Sequence, residues 1–194
     1  MKTLCIIFFS FLIDASLLAF PAPSHQGVIV LNDGEVLVGE ITNINNQLLL
    51  VVTDSARVVV PAHQLRKAQY FDEINNINRK FLPLSEHGKL MIYEVVVNGD
   101  ISIVRIPRDL RSSTAREEKP SEFRYYLLVV SELRPFSEFS KSISAYMESR
   151  VGNLAKSYWR ENRLNPHQIS DAIQIVRYYN GQIRSLPYLA DLQH

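Results

Sequence analysis

Residues 89–107, KLMIYEVVVNGDISIVRIP, decide the fold. Two runs rich in Val, Ile and Tyr flank Asn98-Gly99-Asp100. β-Branched and aromatic runs of this length, joined by a tight Asn-Gly turn, read as an antiparallel hairpin. Glu94 interrupts the first run. A carboxylate in an apolar strand either pairs with a cation across the ladder, here Arg105, or faces solvent from an edge. Alternatively, burial raises its pKa and makes it an acid or base.

Outward from the hairpin, residues 108–122 (RDLRSSTAREEKPSE) are densely charged and nearly without apolar side chains. Such a segment buries too little to offset its ordering entropy and reads as a long mobile loop. FRYYLLVV (123–130) then returns as a strand beside the hairpin. Upstream, residues 27–68 carry short strands punctuated by Asp33-Gly34, Asn45-Asn46 and Asp54-Ser55-Ala56. The unbroken runs VLV and LLLVV imply strands covered on both faces, and Gly39 marks a bend that lets a small sheet curl. Residues 72–82 (DEINNINRKFL) are polar and Asn-rich, and read as a connection or one helical turn.

At Pro135 the apolar period changes from two to about 3.6. Phe139, Ile143, Met147, Val151, Leu154 and Tyr158 line one face of a helix starting near Ser137, weakened at Gly152. Asn165-Pro166 opens a second helix whose inner stripe is Ile169, Ala172, Ile173 and Val176, and Asn180-Gly181 is its stop signal. A tail follows, packing through Leu186, Tyr188 and Leu189. The expected fold is α+β: a β-rich body of short antiparallel strands, small barrel or meander, over 25–134 (27–71 barrel-like, 88–131 a second β block). A helical hairpin and tail follow over 135–194. One continuous sheet and two sub-barrels both fit.

The N-terminus supplies an address. Met1-Lys2-Thr3, an apolar run from Leu4 to Phe20 and the break Pro21-Ala22-Pro23-Ser24 have the layout of a signal peptide over 1–24. The run falls short of the ~20 residues of a spanning helix and contains Asp14, which disfavours an uncleaved anchor, the alternative reading. A periplasmic or secreted protein with no integral span after cleavage follows. Cys5, the single cysteine, lies inside this segment, so the mature chain would lack disulfides, thiol nucleophiles and cysteine-based metal sites. At about 170 residues the mature chain can bury roughly 70% of its unfolded surface, enough for a core to hold it.

Composition is that of a globular protein, 46% hydrophobic and 21% charged, with a formal net charge of +1. Near-neutrality gives no reason to expect a nucleic-acid partner. The glycines match neither a P-loop nor a dinucleotide fingerprint, and nucleophile-elbow, zinc-protease and calcium-loop patterns are absent, so no cofactor or metal is expected. His25 and His194 lie near the mature ends and read as disordered, His63 and His87 as turn residues, and His167 as part of the first turn of the last helix. No metal-ligand spacing joins them. Among adjacent aromatic pairs one ring faces inward and its neighbour outward. Tyr125, Trp159 and Tyr178 are therefore the candidate interface residues, unless they cover the seam between helices and sheet.

GVIVLNDGEVLVGEITN resembles the opening of Sm-like or Src-homology-3-like small barrels, and VVVPAHQLRKAQYFDE resembles their closing strands. With NRKFLPL, KLMIYEVVVNGDISIVR, YYLLVVSELRPFSEFSKS and ENRLNPHQISDAIQIVRYYN, most of the mature chain is similar to uncharacterised exported proteins of Bacteroidota-type bacteria. That resemblance implies an envelope location, a β-rich body and a helical C-terminus, and brings no catalytic residue.

The expected function is that of a non-catalytic envelope protein acting through contacts with another envelope protein. A binder of a small apolar or carbohydrate ligand is the alternative, and a hydrolytic enzyme built on Glu94, Asp72 or His63 a further one. Filled barrels with an exposed apolar patch favour the first, an empty cavity the second, and acids clustered with a histidine the third.

Overall fold

The computed structural model describes residues 24–108 and 119–185. Within them ten strands form one antiparallel sheet: β1 (His25–Leu31), β2 (Val36–Asn45), β3 (Leu48–Val52), β4 (Arg57–Pro61), β5 (Leu65–Asp72), β6 (Ile77–Glu86), β7 (Lys89–Val97), β8 (Ile101–Pro107), β9 (Phe123–Val129) and β10 (Glu132–Pro135). Their spatial order is β10-β9-β8-β7-β6-β5-β1-β2-β3-β4. The signal segment, the charged stretch 109–118 and the tail after Ser185 lie outside the described residues.

This order forces curvature. β4 and β5 stand four strand spacings apart, about 19 Å in a flat sheet. Only Ala62, His63 and Gln64 join them, a link that spans at most about 14 Å. β1–β5 therefore curl around Ile29, Ile41, Leu49, Val51, Val60 and Ala68. Gly27 and Gly39 pair directly across β1 and β2. A Cβ at Gly39 would lie 2.2 Å from the Val52 carbonyl oxygen, and one at Gly27 2.4 Å from that of Gln69. The bend expected at Gly39 is thus a place where backbone occupies side-chain space. Phe81 of β6 and Ile92 of β7 complete this core.

Beyond β6 the sheet curls the other way. Tyr93, Val104, Ile106 and Tyr126 point to the opposite face and form a second core with Leu84 of β6 and Leu133 of β10. β10 comes round to meet β6. The remaining face of β7–β9 presents Val97, Ile101, Ile103, Leu127 and Val129 to the helices. β8 is consequently covered on both sides, and Arg105 is the partly exposed side chain in its interior. Of the two architectures open from sequence, the chain adopts one continuous sheet, curled twice.

The polar stretch 72–82 corrects the sequence reading: it is a tight turn followed by β6, with Asn76 at φ 53°. Alternation along β6 is present, but its inward positions are Arg79 and Phe81. A charge at a buried position hid the period.

The helical region also departs from expectation. A 3₁₀ turn (Phe136–Glu138) and a π turn (Phe139–Ile143) lead into α1 (Ser144–Val151). Gly152, at φ 63°, ends it, and α2 (Leu154–Glu161) starts afresh. The single helix expected over this stretch is therefore two, with α3 (Ile169–Ser185) as the third. α3 begins three residues beyond Pro166, because Asn165 holds a separate turn: its Oδ1 accepts from the His167 N–H and its carbonyl from the Gln168 N–H. Asn180-Gly181 does not stop it. The Asn180 side chain is committed to Ile101 and leaves the helical backbone intact.

Candidate functional site

Strand alternation places the outward residues of β2, β1, β5, β6 and β7 on one surface. The pairs Val28–Val38 and Val30–Val36 face each other across β1 and β2. They form an aliphatic block in which Val36 and Val38 are 55% and 62% exposed. The run VLV was expected to be covered on both faces. It is not: only Leu37 turns inward, packing against the first core. The unbroken apolar run marks an exposed surface.

Beside this block, where the sheet changes its sense of curvature, the same surface becomes a groove of about 630 Å³. Val28, Val30, Leu82 and Val95 contribute apolar walls. Lys67 stands opposite Val30, and Lys80 opposite Gln69, so the two ammonium groups occupy diagonal positions on neighbouring strands. Gln26, Gln69, Asn78 and Asn98 add four side-chain amides, and the lining contains no carboxylate. Phe71, opposite Asn78, adds an exposed ring to the lining.

The acids singled out from sequence lie on the other face. Arg79 reaches Asp72 Oδ2 through Nε and Nη2, each at 2.7 Å, and Glu94 Oε1 through Nη1 at 2.8 Å. Arg105 in turn donates from Nε and Nη2 to Glu94 at 2.7 and 3.0 Å, as the pairing across the ladder requires. Its guanidinium lies 3.9 Å over the Phe123 ring. Charges thus alternate across β5, β6, β7 and β8, with Asp72 and Arg79 each only 4% exposed. Burial pushes the Asp72 pKa upward, but hydrogen bonds from Asn75 and Arg79 and the Arg79 charge outweigh it and lower it to about 2. An acid held that low is a poor proton acceptor near neutrality. Asp72 and Glu94 therefore converge on one arginine, while His63 is exposed in the β4–β5 turn.

Other candidates fall as follows. Tyr125 and Trp159 are half-buried against the core between helices and sheet. Tyr178 stacks on Tyr158 with ring centroids 3.9 Å apart, and its neighbour Tyr179 is fully buried. His25 is ordered, contrary to expectation: it lies in β1 and stacks on Tyr70 at 4.5 Å. His194 lies outside the described residues. His87 occupies the β6–β7 turn at φ 50°. Among the described residues no three His, Cys, Asp or Glu side chains gather as metal ligands, and no helix is long and apolar enough to cross a membrane.

The groove was not foreseen. Lys80 and Asn78 belong to the strand read as a connection, so nothing placed them beside Lys67. No family model, no curated protein and no solved structure matches this chain.

Proposed function

We propose that this chain is a non-catalytic, exported envelope protein that works by binding another protein on the face built by β1 and β2. The observation that carries this reading is the block of opposed valines, Val28–Val38 and Val30–Val36, turned outward on a sheet whose own cores are filled elsewhere. Contiguous exposed aliphatic surface marks contact sites on soluble domains. Export rests on the layout of residues 1–24. Cleavage after Ser24 would start the mature chain at His25, the first residue of β1. Resemblance to exported proteins of Bacteroidota-type bacteria points the same way.

A photo-crosslinking residue at position 38, compared with one at exposed Arg177 on α3, tests the contact in producing cells. One dominant protein adduct from position 38, absent from position 177, is expected. Adducts of equal pattern from both positions count against it. N-terminal sequencing of the recovered protein checks export, with His25 as the expected first residue; retention of Met1 would contradict cleavage.

The groove supports a second reading, a binder of a small ligand, because apolar walls and convergent amides are what such sites need. Native mass spectrometry of freshly purified protein separates the two: a stoichiometric small adduct supports the second.

A further inference from the structure

We propose that the groove beside the valine block receives an extended acidic segment of the partner, in which two carboxylate residues separated by one residue meet Lys67 and Lys80 and adjoining aliphatic residues lie on the valines. This rests on the reading of the β1–β2 face as a protein-contact surface and names the chemistry of what it contacts.

Backbone pairing is not available here. β1, β5, β6 and β7 each have a neighbour on both sides, so the groove has no free edge and must recognise its occupant through side chains. Its charge is one-sided: two ammonium groups and no carboxylate line it. Closing a neutral or basic segment over them would strip their water without return, whereas carboxylates compensate both.

Spacing makes the requirement specific. Lys67 precedes by two residues the Gln69 that pairs with Lys80. Diagonal neighbours of this kind stand roughly 7–8 Å apart. Same-face residues of an extended chain recur about every 6.7 Å. Carboxylates at positions i and i+2 of an extended segment therefore reach both lysines together.

The uncharged groups select a peptide. Gln26, Gln69, Asn78 and Asn98 each carry donors and an acceptor, the same pair of functions that a peptide unit presents. An alkyl chain would leave four amides unpaired on desolvation. Sugar rings favour flat aromatic platforms; of the three aromatic residues that line the groove, Tyr70 and Phe81 pack against the first core, which leaves the single exposed ring of Phe71 beside the valines. Aliphatic side chains fit that surface best.

The test is fluorescence anisotropy with the chain from residue 25 onward. Its probe is a labelled nonapeptide in which four aliphatic residues precede two glutamates separated by one valine. Saturable binding is expected. It should weaken roughly tenfold when both glutamates become glutamines, and by at least as much in K67E/K80E protein. Higher salt should weaken it further. K67E/K80E protein should instead bind the peptide with lysines in place of the glutamates. Both lysines are exposed, so the variant should keep the wild-type melting temperature.

Absence of binding, or equal binding of the glutamate and glutamine peptides, overturns the proposal. Displacement of the peptide by oligogalacturonate or oleate at lower concentration than by unlabelled peptide also overturns it, in favour of an acidic glycan or a fatty acid. The two readings fail separately. If the position-38 adduct forms in cells and survives K67E/K80E, the surface is right and its acidic partner wrong. If wild-type protein gives no position-38 adduct, the contact surface itself fails.

Discussion

Asn180 of α3 brackets Ile101 of β8, 79 positions away in the chain, accepting from its N–H at 3.1 Å and donating to its carbonyl at 2.8 Å. β8 lies between β7 and β9, but its register with β7 stops at Ile103, and the side-chain amide serves Ile101 just beyond that point. The approach depends on Gly99, whose Cβ would fall 2.3 Å from the Asn180 amide carbon. N180A leaves a buried donor and acceptor unpaired and should cost about 2–4 kcal/mol in urea unfolding. G99A should destabilise through the same contact, so the double variant should lose clearly less than the sum of the singles. Strict additivity would show that the two do not act together.

Arg79 joins Asp72 and Glu94, and its removal leaves buried Asp72 without its cation while Glu94 keeps only Arg105. R79M should lose roughly 3–5 kcal/mol, while exposed Arg57 replaced in the same way should change stability by less than about 0.5 kcal/mol. Equal effects would mean that the network contributes nothing beyond surface charge.

Acid should act on the same network. Asp72 titrates at about 2 in the folded chain against 3.8 in the unfolded one. A lowered pKa gives stability that is fully present above about pH 4 and lost as pH falls towards 2, on the order of 2 kcal/mol. D72N should flatten unfolding free energy across that window. A wild-type slope in D72N would assign the acid sensitivity elsewhere.

At alkaline pH the tyrosines matter. Burial first, then the Glu86 carboxylate, raises Tyr93 and Tyr126 above 10, and burial with Asp100 raises Tyr146 and Tyr179. Glu86 accepts from Tyr126 at 2.6 Å and from Tyr93 at 2.8 Å, and Asp100 accepts from Tyr179 at 2.6 Å. The stability from these raised values is complete below pH 10 and declines as pH climbs beyond it. Tyrosinate absorbance should therefore show these four rings titrating only with unfolding. E86Q should bring the onset earlier. Titration of all tyrosines near pH 10 in folded protein would contradict the arrangement.

Much of this architecture was legible in residue order, for identifiable reasons. The hairpin at 89–107 and the return strand at 123 have the composition of strands and tight turns at their ends, and the structure places all three side by side. Glu94 left three readings open, a pair with Arg105 across the ladder, an edge position facing solvent and a buried acid, and the chain adopts the first. β6 escaped because Arg79 fills an inward position, and an ion pair seven residues away is invisible to periodicity. The break at Gly152 was legible only as a weakness, since a propensity cost does not say that the backbone will take φ 63° there. The groove escaped because it is made by strands that sequence order keeps apart: β1 and β5 are neighbours only through closure.

Phe81 and Ile92 have a consequence for synthesis. They wall the first core although its five strands end at Asp72, and the Asn46 carbonyl accepts from the Ile92 N–H at 2.7 Å. A nascent chain that has emerged only as far as the β5–β6 turn holds every strand of that barrel and still lacks its lid. The first core is therefore incomplete until β7 is in place, and the second half of the sheet supplies the closing pieces of the first.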